Sequence, residues 1–111
     1  MITTAIGVFA LAAILGMIVL SFVLRDKPTP KAAVFGHGAL AVLGVILLII
    51  YATGHDPRPI ESMVLFSVAA SGGFIMVARD LMNKPIPKWL AVIHGIIALV
   101  AFIFLVLFQI P

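Results

Sequence analysis

The sequence predicts an all-α membrane protein, a four-transmembrane-helix up-down bundle made of two tandem hairpin repeats. Three observations predict it. Hydrophobic residues fill 64% of the 111 positions and charged residues only 10%, a balance outside that of water-soluble domains. The apolar residues fall into four runs, Ile2 to Leu24, Ala32 to Ala52, Ile60 to Ala78 and Trp89 to Ile110, each near the roughly 20 residues a helix needs to cross the hydrocarbon core. A segment that begins KPTPKAAVFGHGA at Lys27 recurs as KPIPKWLAVIHGIIA at Lys84, so the single domain, 1–111, divides into hairpins 1–54 and 55–111.

The first run has no basic leader, carries no charge and ends in LRDKP rather than in a small-residue cleavage site. It is therefore expected to stay as a helix of the mature protein and not to serve as a secretion signal. The second and fourth runs each follow a K-P-x-P-K segment. Proline lacks a backbone donor, biases its predecessor away from helix and is tolerated at a helix start, so these segments end one span and open the next. The third run follows the loop that gathers Tyr51, His55, Asp56, Arg58 and Glu61, which reads as a solvated turn with interfacial anchors, a quinone-head or metal role for His55 with Asp56 or Glu61 being the weaker alternative.

Charge orients the bundle. Arg25, Lys27 and Lys31 lie in the first loop and Arg79, Lys84 and Lys88 in the third, whereas the second holds only Arg58. Basic residues in short loops mark the cytoplasmic side. Both termini are thus expected outside and loops 1 and 3 in the cytoplasm, in a bacterial inner membrane. There is no basic stripe beyond these anchors, so nucleic acid is not a partner; the lipid bilayer is. The chain has no cysteine, which removes disulfides, thiolate metal sites and covalent haem attachment.

Aligned at a shift of 57, residues 27–54 match residues 84–111 at nine positions, among them His37/His94, Gly38/Gly95 and Ala41/Ala98. Upstream, FVLRD ending at Asp26 matches MVARD ending at Asp80, which leaves Leu81, Met82 and Asn83 as three extra residues in the later loop. Each half holds an even number of spans, so the repeat is parallel rather than inverted.

The twin histidines carry the chemistry. Each lies six residues into its span, about 9 Å below the basic loop, and an ionisable residue at such depth faces the bundle interior and marks a functional site. Costly polar residues are kept in both copies while neighbours such as Gly36/Ile93 and Phe35/Val92 differ. In an up-down bundle the second and fourth helices are parallel and diagonal. With neighbouring axes about 8 to 10 Å apart, the diagonal is too wide for the imidazoles to touch directly and suits a metal between them, as in bis-histidine haem ligation. Small residues line the same stripes: Ala41 and Gly44 after His37, Ala98 and Ala101 after His94. By counting from the loops, Gly72 and Gly73 fall level with the histidines and Gly16 slightly deeper.

A histidine pair on parallel helices of a four-helix membrane bundle, flanked by glycines, resembles the membrane-bound b-type cytochromes, on the twice-written motif H-G-x-x-A. The resemblance implies His37 and His94 as axial ligands of one haem b per chain, and implies that Gly16, Gly38, Gly44, Gly72, Gly73 and Gly95 admit the porphyrin. Arg25, Lys31, Arg79 and Lys88 lie where haem propionates could point. Members that stack two haems need further histidines, and only His55 remains here. Electron transfer or membrane oxidoreduction, with quinol, superoxide or a redox partner protein as counterpart, is the leading expectation. A haem, pigment or metal binding or assembly protein is the second. A small four-helix transporter is the third, although the first span lacks the carboxylate of the small multidrug resistance proteins.

Overall fold

The computed structural model describes all residues from Met1 to Pro111 as four helices: α1 (Ile2–Leu24), α2 (Lys31–Gly54), α3 (Ile60–Leu81) and α4 (Lys88–Gln109). Each is long and apolar enough to cross a membrane, so the all-α membrane-spanning class holds. The helices form a ring in chain order: α1 and α3 each pack on α2 and α4, and the diagonals α1/α3 and α2/α4 meet only through side chains. Packing within each hairpin is more extensive than packing between hairpins.

The turns that close α1 and α3 are alike in detail. At the first, the amide of Lys27 donates to the Phe22 carbonyl and that of Asp26 to Val23; at the second, Lys84 donates to Arg79 and Asn83 to Asp80. This is the Schellman pattern, and it requires a left-handed residue just past the helix. Asp26 (φ 55°) and Asn83 (φ 58°) supply it, since their short polar side chains tolerate that region better than most. The helix stop therefore precedes the prolines, and Pro30 and Pro87 act only as N-caps of α2 and α4.

These turns correct the upstream alignment. Asp26 and Asn83 are 57 residues apart, as are the ends of α1 and α3, Leu24 and Leu81. One shift of 57 thus runs through both hairpins, and Leu81, Met82 and Asn83 are not an insertion: they match Leu24, Arg25 and Asp26. At that shift Phe9/Phe66, Ala12/Ala69 and Gly16/Gly73 are identical.

The core follows the repeat. Most buried positions come as pairs one repeat apart, among them Ala5/Ser62, Phe9/Phe66, Ala12/Ala69, Gly44/Ala101 and Leu48/Leu105. Phe9 and Phe66 stack across the α1/α3 diagonal with ring centroids 3.8 Å apart and planes within 3°. Ile2, Ala5, Phe9, Leu48, Phe66, Ala101 and Leu105 form one cluster, all in the half of the bundle away from the basic loops. The large apolar residues left exposed, such as Met17, Phe74, Trp89 and Leu99, suit a surface solvated by lipid.

At the basic end two ion pairs join the hairpins. Lys31 Nζ lies 2.7 Å from Asp80 Oδ2, and Lys88 Nζ lies 2.9 Å from Asp26 Oδ2. Asp26 is mostly exposed, so its pair contributes about 0–1 kcal/mol. Asp80 is 16% exposed and also accepts from the buried Thr29 hydroxyl at 2.7 Å, while Lys31 donates to the same hydroxyl oxygen at 2.9 Å. That enclosure makes it the stronger tie.

Candidate functional site: a paired histidine cradle

His37 lies on the inner stripe of α2 with Ala41, Gly44 and Leu48, and His94 on that of α4 with Ala98, Ala101 and Leu105. Both are half-buried. Their rings face each other along the α2/α4 diagonal with centroids 6.0 Å apart and planes at 78°. They come closer than the axis spacing suggests, because both side chains reach inward.

Each ring is held by its own hairpin. His37 Nδ1 lies 2.7 Å from the Ala12 carbonyl oxygen of α1, and His94 Nδ1 lies 2.7 Å from that of Ala69 on α3. A carbonyl only accepts, so the proton sits on Nδ1 in both rings, and Nε2 of the neutral imidazole keeps its lone pair. Helix carbonyls already accept one bond from residue i+4, and their second lone pair is reachable only where that residue leaves room. Four residues after Ala12 and Ala69 come Gly16 and Gly73. A Cβ on Gly16 would stand 2.9 Å from His37 Cε1 and 3.0 Å from Nδ1; one on Gly73 would stand 3.3 Å from His94 Cε1. The glycines uncover the carbonyls and seat the rings.

The unit is therefore a carbonyl, a glycine and a histidine, written once per hairpin with the same 25-residue step from carbonyl to ring. Gly16 is level with His37, not deeper, and Gly72 lies at the edge of the His94 seat, where its Cβ would be 3.8 Å from Nδ1. Gly38 and Gly95 do not seat the rings: consecutive helix residues point about 100° apart, and an added Cβ at either meets nothing within 4 Å. Gly44 is taken by packing, since its Cβ would fall 2.5 Å from Phe9 Cζ. Ala41 and Ala98 are half-buried one turn below the rings.

The four expected cations are already engaged. Lys31 and Lys88 hold the ion pairs, Arg25 donates to the Ser21 carbonyl and lies over the Phe22 ring, and Arg79 donates to the Pro85 carbonyl. Lys27 and Lys84, one repeat apart, form no ion pair and line a polar hollow between the two loops with Thr29 and Asp80. Ser71 bonds the Ser67 carbonyl and faces a lipid-side groove of α3, so it does not orient His94. At the far surface His55 stacks on Tyr51 with centroids 3.9 Å apart and bonds its carbonyl, as an exposed cap of α2.

A centroid separation of 6.0 Å with planes at 78° is that of two rings in edge-to-face contact; two metal–nitrogen bonds of about 2 Å, with about 1 Å from each nitrogen to its ring centre, would span a similar distance of roughly 6 Å. Along the axis the rings have about 9 Å to the basic loops and about 10 Å, seven residues of α1, to the Phe9–Phe66 stack. No third histidine, cysteine or carboxylate joins the pair, so a metal there would draw its remaining ligands from a macrocycle or small molecules. Compared with models of protein families, with curated proteins and with solved structures, the chain finds no match.

The cradle makes a paired prediction. Gly16→Val should displace His37 from the Ala12 carbonyl, whereas Gly38→Val, equal in helix cost, should leave both rings in place. Overpacking at Gly16 is expected to cost about 1–3 kcal/mol. The imidazole resonances of the two variants in detergent would show the difference, and equal spectra would refute the role given to Gly16.

Proposed function

We propose that the protein is a haem-b-binding integral membrane protein, with His37 and His94 as axial ligands of one haem per chain, and that it carries electrons. The observation that supports this most directly is the pair of Nδ1–carbonyl bonds, which leave Nε2 of each ring free to ligate and hold the two rings 6.0 Å apart. Such anchoring fixes the tautomer and ring orientation of a ligating histidine and raises its basicity. Bound haem would supply one-electron chemistry, with a potential tuned by the two imidazoles and the apolar shell.

What the chain itself does is hold, seat and shield. Ala12 and Ala69 set the ring planes, Gly16 and Gly73 make room for them, and the Phe9–Phe66 stack closes the axis toward the far surface. Six of the seven basic residues lie at the histidine end, which the positive-inside rule assigns to the cytoplasm of a bacterial inner membrane, with both termini outside. Because Arg25, Lys31, Arg79 and Lys88 have protein partners, Lys27 and Lys84 are the cations left for anionic groups at this end. Quinol or a redox partner protein would meet the site from that face. A second reading, carriage of haem to another protein, is favoured by the division of the site between two hairpins.

Titration of the detergent-purified protein with hemin, followed by reduction, tests the proposal. Sharp low-spin b-type bands saturating at one haem per chain are the expected result. A preparation that shows no bound haem overturns it, and saturation at half a haem would place the site between two chains.

A further inference from the structure

The two ends of the bundle are closed by different forces. In the half away from the basic loops the seven-residue apolar cluster crosses the hairpins, with the Phe9–Phe66 stack and the buried Leu48 and Leu105 at its centre. In the histidine half the residues around the rings are small, namely Ala12, Gly16, Ala41, Ala69, Gly73 and Ala98, and the hydrogen bonds of His37 and His94 each stay within one hairpin. The polar ties that cross between hairpins at this end are Lys31–Asp80 with Thr29, on the α2/α3 seam, and Lys88–Asp26, on the α1/α4 side.

The Thr29–Lys31–Asp80 cluster is not a relic of duplication. One repeat away from Thr29 stands Ile86, and one repeat before Asp80 stands Val23, so the second copy cannot build it. Thr29 and Asp80 occur on one seam alone, beside the mouth of the cradle, whereas Lys31 has its copy in Lys88.

We propose that the histidine end is a gated mouth: the two hairpins pivot about the Phe9–Phe66 cluster, and the Lys31–Asp80–Thr29 and Lys88–Asp26 ties are the latches that hold the mouth shut. Release of both latches parts the two half-sites without disturbing either ring's own carbonyl bond, and admits a flat macrocycle between the imidazoles from the basic face. The far end offers no such entry, because the stacked phenyl rings and the paired leucines fill the axis. The function of the gate rests on the reading of His37 and His94 as haem ligands; the pivot itself does not.

The absence of cysteine makes the test direct. Nitroxides at Lys27→Cys and Lys84→Cys report the mouth of the haem-free protein, and a second pair at Thr53→Cys and Ile110→Cys reports the far end. Adding Asp26→Asn and Asp80→Asn should give the mouth pair a longer distance component and leave the far pair unchanged. Separately, Thr29→Cys with Asp80→Cys should form a disulfide across the seam. Hemin uptake is expected to be at least tenfold slower in the oxidised than in the reduced form, and the reduced form, which lacks that latch, should take up hemin faster than the native chain.

Equal uptake in the oxidised and reduced forms overturns the gate, as does a mouth distance that ignores both Asn substitutions. A native chain that never binds hemin overturns the ligand reading instead, and the nitroxide distances then still decide whether the bundle pivots where the structure places the hinge.

Discussion

On the haem ligation proposed above, replacement of His94 by alanine should abolish the six-coordinate spectrum while leaving four helices folded, and replacement of His37 should do the same. Neither side chain supports the core: the buried cluster lies in the other half of the bundle, and each ring's hydrogen bond ends on a carbonyl whose helix bond remains. Loss of a ligand should weaken haem by more than the roughly 10–100-fold that follows loss of a partner that merely orients one. The vacated seat beside Gly73 or Gly16 is imidazole-shaped, so free imidazole should restore low-spin bands in both variants. Absorption spectra with and without imidazole, together with far-UV circular dichroism, check this. A variant that keeps its native spectrum would remove that histidine from the site.

The second large effect is expected far from the histidines. Gly44→Ala adds one methyl group, yet that carbon would lie 2.5 to 2.8 Å from three atoms of the Phe9 ring. Phe9 cannot retreat, because its other face is stacked on Phe66 at 3.8 Å. Relief requires α1 and α2 to part or the aromatic pair to break, at a cost of about 1–3 kcal/mol or more. In lipid the hydrophobic effect does not drive helix association, and close packing carries more of the stability. Thermal unfolding in detergent should therefore fall clearly for Gly44→Ala and hardly at all for Gly7→Ala, whose added carbon meets nothing within 4 Å. Equal midpoints would show that the Phe9 contact bears no load.

Much of the architecture was legible because in a membrane length and apolarity decide the elements. The spans read from composition differ from the helices mainly at their ends: α2 and α4 begin one residue earlier, at Lys31 and Lys88, and α3 runs on to Leu81. Charged side chains at the membrane surface do not break a helix; the left-handed Asp26 and Asn83 do. The histidines' inward direction was legible from the small residues four and seven positions on.

The seat of the rings is legible only in part, because the RD dipeptides suggest an upstream frame that the turns do not share: Asp26 is the left-handed residue past α1, whereas Asp80 lies within α3. Phe9, Ala12 and Gly16 against Phe66, Ala69 and Gly73 carry the true frame, since each makes a contact that its copy must also make. The H-G dipeptide does not reveal the seat, for a geometric reason: a residue beside an inward histidine in sequence lies on another face of the helix. The carbonyl bonds could not be read at all, because every helical residue has a carbonyl and only the missing side chain at i+4 shows which one is reachable.

The single shift of 57 that relates the hairpins bears on how the molecule came to be one chain. A lone hairpin already has its histidine, its anchoring carbonyl and its glycine, so two identical copies self-associating about a two-fold axis would assemble the same pair of rings. Covalent joining turns that encounter into an intramolecular one, with occupancy that no longer falls on dilution. It also frees the copies to diverge, and the threonine and aspartate on one seam are what such freedom looks like after use. Haem retention that is indifferent to protein concentration in detergent is the signature to expect of a fused dimer.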